Sequence, residues 1–223
     1  MGVMKSSKAA VLPYTIGEEI ANSVLHGVGT LGAVAALVLL NLKTRGVLGG
    51  PGGSGMDIAA VTIYAAAMIG MFLTSTLYHA IRHGGAKRIF RIFDHSGIYL
   101  FIAGTYTPFC LIALRGVWGW SLFAFEWSMA ALGITLYATG NKALKKIEVA
   151  VYILMGWAIV AGFVPLVRSI PVLSIVFLLA GGVVYTMGTI WYRKKHVRGT
   201  HIVWHAFVLL GAVFQWVSIW LIL

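Results

Sequence analysis

His201 and His205 stand four residues apart, as do Ser75 and His79. On a helix that spacing projects two side chains from one face, about 6 Å apart. Both pairs lie in apolar runs, where an ionisable group facing hydrocarbon costs about 2.5 to 3.5 kcal/mol and so needs a reason to be there. Two histidines at i and i+4, a third on another helix and a carboxylate at equal depth meet the needs of a zinc ion. Catalytic zinc takes three protein ligands and keeps a fourth position for water. His79, His201 and His205 are the candidate ligands, with Asp94 as base for the water and Ser75 to orient that water or a substrate carbonyl.

Each of these residues also has a plainer reading. A histidine in a membrane more often bonds to a neighbouring helix than to a metal, and one His-x-x-x-His pair arises easily by chance. What raises the metal reading is the coincidence with His79 and Asp94, and the residues alone leave both readings open. Haem ligation by histidines on facing helices is a further alternative. Glu19, Asn22 and His26 share one face of the first helix, either lining the same cavity or forming an interhelical hydrogen-bond cluster. His95, beside Asp94, projects elsewhere and reads as an interface residue; His83 and His196 fall in basic loops and read as solvated. Glu126 stands apart as a protonated structural carboxyl, with a proton relay as the lesser option. Cys110, the single cysteine, reads as a small core residue.

The elements that must carry these groups are membrane helices. Of 223 residues, 60% are hydrophobic and 10% charged, against roughly 25% charged in soluble domains. A hydrocarbon core about 30 Å thick takes about 20 apolar residues per helix. The expected spans run from Ile20 to Leu42, Asp57 to Ile81, Ile92 to Leu114, Trp118 to Thr139, Ile147 to Val167, Pro171 to Tyr192 and His201 to Leu223. This is an all-α membrane protein, a seven-transmembrane-helix bundle forming one domain over residues 1–223, with a short tail over about residues 1–18. Thr15 and Glu18 have capping-box spacing at the start of the first span, and no removable signal peptide is expected. The pairs Trp118/Trp120 and Trp191/Tyr192 read as interfacial anchors, and Gly104 and Pro108 as packing and helix distortion.

Lys and Arg side chains accumulate in cytoplasmic loops. Lys5 and Lys8, the loops carrying Arg82 to Arg91 and Lys142 to Lys146, and the stretch Arg193 to Arg198 place thirteen on one side. Lys43, Arg45, Arg115 and Arg168 are the four on the other. The N-terminus is therefore expected in the cytoplasm and the C-terminus outside, in the cytoplasmic membrane. The net charge of +11 is scattered over short loops rather than one face, so nucleic-acid binding is not expected.

Five segments carry a resemblance. They are Glu18-Glu19-Ile-Ala-Asn22-Ser-Val-Leu-His26-Gly27, Ser75-Thr-Leu-Tyr78-His79, Phe93-Asp94-His95-Ser-Gly97-Ile, Gly104-Thr-Tyr106-Thr-Pro108-Phe and His201-Ile-Val-Trp204-His205. In order and spacing they resemble haemolysin III-type proteins of the progestin and adipoQ receptor family, whose superfamily includes adiponectin receptors and alkaline ceramidases. The resemblance implies zinc held by His79, His201 and His205 near the cytoplasmic face, with Asp94 and Ser75 beside the water. It also implies metal-dependent hydrolysis of a lipid amide or ester and a link to membrane lipid homeostasis, with a membrane lipid as substrate or ligand. The alternative is a non-enzymatic membrane sensor or haemolysin-like factor with structural zinc.

Overall fold

The computed structural model describes residues 13–82 and 84–223, the side chains of Lys142, Leu144 and Lys145 excepted. Lys5, Lys8 and His83, and the side chains of Lys142 and Lys145, thus lie outside the described residues. Among the described residues every regular element is helical: α1 (Ile16–Thr44), α2 (Gly55–Ala80), α3 (Gly85–Pro108), α4 (Gly116–Ala138), α5 (Lys142–Gly156), α6 (Phe163–Ser169), α7 (Val172–Tyr192) and α8 (Thr200–Leu221). They provide seven spans long and apolar enough to cross a bilayer, with α5 and α6 sharing the fifth. The seven-helix membrane bundle is therefore the fold.

Local chemistry explains where the helices begin. The capping box expected at the first span is present: Glu18 N donates to Thr15 Oγ1 at 3.2 Å, and Thr15 N to Glu18 Oε2 at 2.7 Å. Ser54 and Asp57 do the same for α2. α3 starts at Gly85, seven residues before the expected Ile92. Lys87, Arg88 and Arg91 occupy its first turns, where the backbone is helical but the side chains are too polar to register as a span.

Two spans change pitch inside the membrane. Pro108 has no N–H to donate, and the chain after it widens into a π-helical turn, Phe109–Leu114. In the fifth span α5 gives way to a 3-10 stretch, Ala158–Gly162, before Pro165 in α6. Tyr106 mends this break. Its hydroxyl donates to Gly156 O and accepts from Ile159 N, each at 2.9 Å.

α1 is built inside out relative to a helix in water. Ile20, Val24, Val28 and Leu31 are exposed, whereas Asn22, His26, Gly29 and Ala33 are buried. Small residues bring the spans close. A Cβ on Gly29 would lie 2.6 Å from the Phe72 ring, and one on Gly104 would lie 2.6 Å from Ala67 Cβ. α1, α2 and α3 pack in sequence, α7 packs on α8, and α8 returns to α1. The starts of α1, α3 and α8 thereby meet the end of α2: Lys87 Nζ is 2.7 Å from Glu19 Oε1, and Arg198 Nη1 is 3.4 Å from Glu18 Oε2.

Trp118 and Trp120 are exposed, as interfacial anchors should be. Tyr192 departs from that expectation: it is buried and its hydroxyl donates to Glu148 Oε1 at 2.9 Å. Glu148 sits on α5 where the bundle interior begins, and this acceptor draws the phenol inward rather than to the headgroups.

Candidate metal site

His79 ends α2, while His201 and His205 occupy the first two turns of α8. Because those ends converge, one nitrogen from each ring lies within 4.8 Å of the others. This is a cluster among the described residues that could hold a metal ion. His79 and His205 are buried and His201 is half-buried. The Nε2 atoms of His79 and His205 are 3.1 Å apart.

The outer nitrogens of two of these rings are engaged. His79 Nδ1 is 2.5 Å from Glu19 Oε2, a carboxylate that can only accept, so the proton is assigned to Nδ1. His205 Nδ1 is 2.6 Å from His26 Nε2, and the tautomers of the two rings decide which of them donates. The Nδ1 proton of His79 leaves a bare lone pair on its Nε2, the atom that faces His205 Nε2. With the His205 proton on Nε2 the pair is a hydrogen bond at 3.1 Å; with it on Nδ1 two lone pairs face each other, and a cation between them removes the repulsion.

A metal ion fits that arrangement on donor chemistry. Two imidazole nitrogens bound at about 2.1 Å to one tetrahedral zinc are about 3.4 Å apart, close to the spacing of His79 and His205. The Glu19–His79 contact has the form of the carboxylate–histidine support that fixes ring orientation and raises ligand basicity at metal sites. Glu19 and His26 thus lie on the face expected from their spacing, and each supports a different ring of the cluster. Asn22, between them on that face, is buried and its side-chain oxygen and nitrogen have no partner among the described residues.

A cavity of about 50 Å³ adjoins the rings. Asp94, His95, Tyr14, Tyr78, Tyr192 and Lys195 line it together with His26, His201 and His205. Asp94 therefore faces the same space as the cluster. Ser75 is buried one turn from His79, with no partner for its hydroxyl among the described residues, and is not part of this wall. His95 sits at the interface of α3 with α4 and α5, as expected, and also reaches the cavity. It lines the cavity, stacks on Tyr137 with ring centroids 4.7 Å apart, and its Nδ1 lies 3.7 Å from Glu148 Oε2. Adjacent side chains on a helix diverge, but this cavity is wide enough to meet both.

Spacing gave no signal for Tyr14, Tyr78, Lys195 or Glu148, since none repeats on a helix face with the histidines. Tyr14 lies before α1, and its ring stacks on His201 at 4.8 Å between centroids. Partial burial, with Tyr78 and Asp94 close by, raises its phenol above the usual range, so the ring is neutral. His196 is exposed, as expected for a loop residue. Gln215 donates from Nε2 to Leu178 O at 3.1 Å.

A second cavity, of about 110 Å³, is overwhelmingly apolar and lies among α3, α5, α7 and α8. Met71, Ile98, Trp204 and Val208 line both cavities, so the two abut. Glu126 lines neither. It is fully buried in α4 without a partner among the described residues. Cys110 is buried in the core.

The bundle and its interior histidines define a multi-pass helical membrane protein with a candidate metal centre at one end. Residues 14–216 match the family described as haemolysin-III related, and the chain belongs to that family. It is 37% identical over 207 residues to Hemolysin-3 of Bacillus cereus, covering 93% of this chain and 92% of that protein. It is 40% identical over 199 residues to a Hemolysin-3 homolog of Bacillus subtilis, covering 89% and 91%. A more distant relative is the human monocyte to macrophage differentiation factor, 25% identical over 166 residues, covering 71% and 68%.

Proposed function

We propose that the protein is a zinc-dependent hydrolase of a lipid amide or ester, acting at the cytoplasmic side of the cytoplasmic membrane in membrane lipid homeostasis. One observation carries this reading. The facing Nε2 atoms of His79 and His205 have their Nδ1 partners already engaged by Glu19 and His26. His201 supplies the third ligand.

Bound there, zinc would supply Lewis acidity, lowering the pKa of water to about 7 and polarising a carbonyl. Asp94, on the cavity wall, takes the proton of the attacking water. Ser75, whose hydroxyl is unengaged among the described residues, offers it one turn from His79 to orient the water or the carbonyl. The abutting apolar cavity suits a hydrocarbon chain, which supports a lipid as the partner. The Lys and Arg distribution supports the cytoplasmic placement of this end.

Comparing extracted lipids of cells expressing wild type and Asp94→Ala tests the reaction. A lipid amide or ester is expected to fall with wild type and not with the variant, while zinc content stays equal. Identical lipid profiles would remove the hydrolase. The second reading is a membrane-active factor with structural zinc, and the name of the two Bacillus relatives, Hemolysin-3, favours it. Lysis by wild type and Asp94→Ala alike, with unchanged lipids, is its signature.

A further inference from the structure

Two rings of the histidine cluster are held through Nδ1, His79 by Glu19 and His205 by His26. His201 is supported differently. The ring of Tyr14 stacks on it with centroids 4.8 Å apart and planes 25° apart, and lies 5.8 Å from His79. Stacking on the face of an imidazole limits its rotation while leaving both nitrogens, which lie in the ring plane, free for a ligand.

Tyr14 also stands between the cluster and the outside. It lines the cavity of about 50 Å³ beside the histidines and a smaller one of about 20 Å³ formed with Pro13, Glu18 and Arg198. The short segment that carries it is tied at both sides. Arg198 Nη1 donates to Pro13 O at 2.8 Å, and Gly199 N donates to Glu18 Oε1 at 2.6 Å. The capping box fixes Thr15 between these ties.

We infer that residues 13–15 form a strap in which Tyr14 positions His201 for metal binding and shields the cluster from solvent. The inference rests on the metal reading above. Tyr14 is a positioning residue: it acts through His201, and the stack rather than the hydroxyl does the work. The loop between α7 and α8 anchors the strap through Arg198, so metal exchange is coupled to that contact.

The test uses the full chain in detergent, loaded with Zn2+ or Co2+, with the apparent Kd and the rate of extraction by a chelator as readouts. Losing an outer support at a metal site typically weakens binding 10- to 100-fold, so Tyr14→Ala is expected to lose about tenfold and to release metal correspondingly faster. The visible bands of the Co2+ form should shift in Tyr14→Ala. Tyr14→Phe keeps the ring and should match wild type in all three. Arg198→Gln should move in the direction of Tyr14→Ala by a smaller amount.

Metal binding and exchange in Tyr14→Ala equal to wild type would overturn the strap while leaving the metal site standing. Equal losses in Tyr14→Phe and Tyr14→Ala would transfer the effect to the hydroxyl and overturn stacking. If Tyr14→Ala does not fold, unchanged exchange in Arg198→Gln overturns the coupling. A wild-type chain that binds neither metal defeats the metal reading itself, and the strap with it.

Discussion

Nδ1 of His79 lies 2.5 Å from Oε2 of Glu19, a contact between the end of α2 and the first turn of α1. The other oxygen of that carboxylate receives Lys87 Nζ at 2.7 Å. One side chain therefore orients a candidate ligand and ties α3 to the same corner.

Glu19→Gln keeps an acceptor but removes the charge that makes His79 a better ligand. Zinc affinity, measured by chelator competition, is expected to fall 10- to 100-fold. An unchanged affinity would separate Glu19 from the metal site.

His26→Phe removes the hydrogen-bond partner of His205 Nδ1 while keeping an aromatic ring against Phe72, whose centroid is 5.0 Å from that of His26. Zinc affinity is expected to drop over the same range, 10- to 100-fold, because His205 loses its fixed tautomer. Thermal unfolding in detergent should change far less than the affinity. A large stability loss with full zinc binding would make His26 a packing residue.

Tyr106→Phe leaves Ile159 N and Gly156 O without the hydroxyl that joins them across the break in the fifth span. The expected loss of stability is about 1–3 kcal/mol, the cost of leaving a buried polar group unmade. Thermal unfolding checks it, and an unchanged midpoint would show that the break needs no such mending.

Sidedness can be read with a membrane-impermeant maleimide, because Cys110 is buried. Val117 and His196 are exposed near opposite ends of the bundle. Val117→Cys is expected to label in intact cells, and His196→Cys only after permeabilisation. The reverse pattern would invert the orientation.

Much of the fold was legible because its signals are local. Hydropathy marks every span, and Thr15 with Glu18 announces the start of α1 from four residues. Helix direction puts His79, His201 and His205 at one end of the bundle, since alternate helix ends share a side; that their rings meet depends on α2 and α8 both packing on α1, which no local signal announces. Tyr14 could not be read this way, because only the folded N-terminal segment brings it onto His201. Tyr192 carries the local signature of an anchor, but its buried partner, Glu148, lies on another helix and is invisible to that signature. The change of pitch in the fifth span leaves only Pro165 in the sequence, and neither the 3-10 stretch nor its repair by Tyr106 is a local property.

Zinc analysis of the purified chain beside His79→Ala and His205→Ala bears most directly on the central claim. About one zinc per chain in wild type, lost in both variants, is the expected result for a single three-histidine site. Metal-free wild type, or zinc retained in both variants, would contradict it and leave the 3.1 Å approach of the two imidazoles to a shared proton.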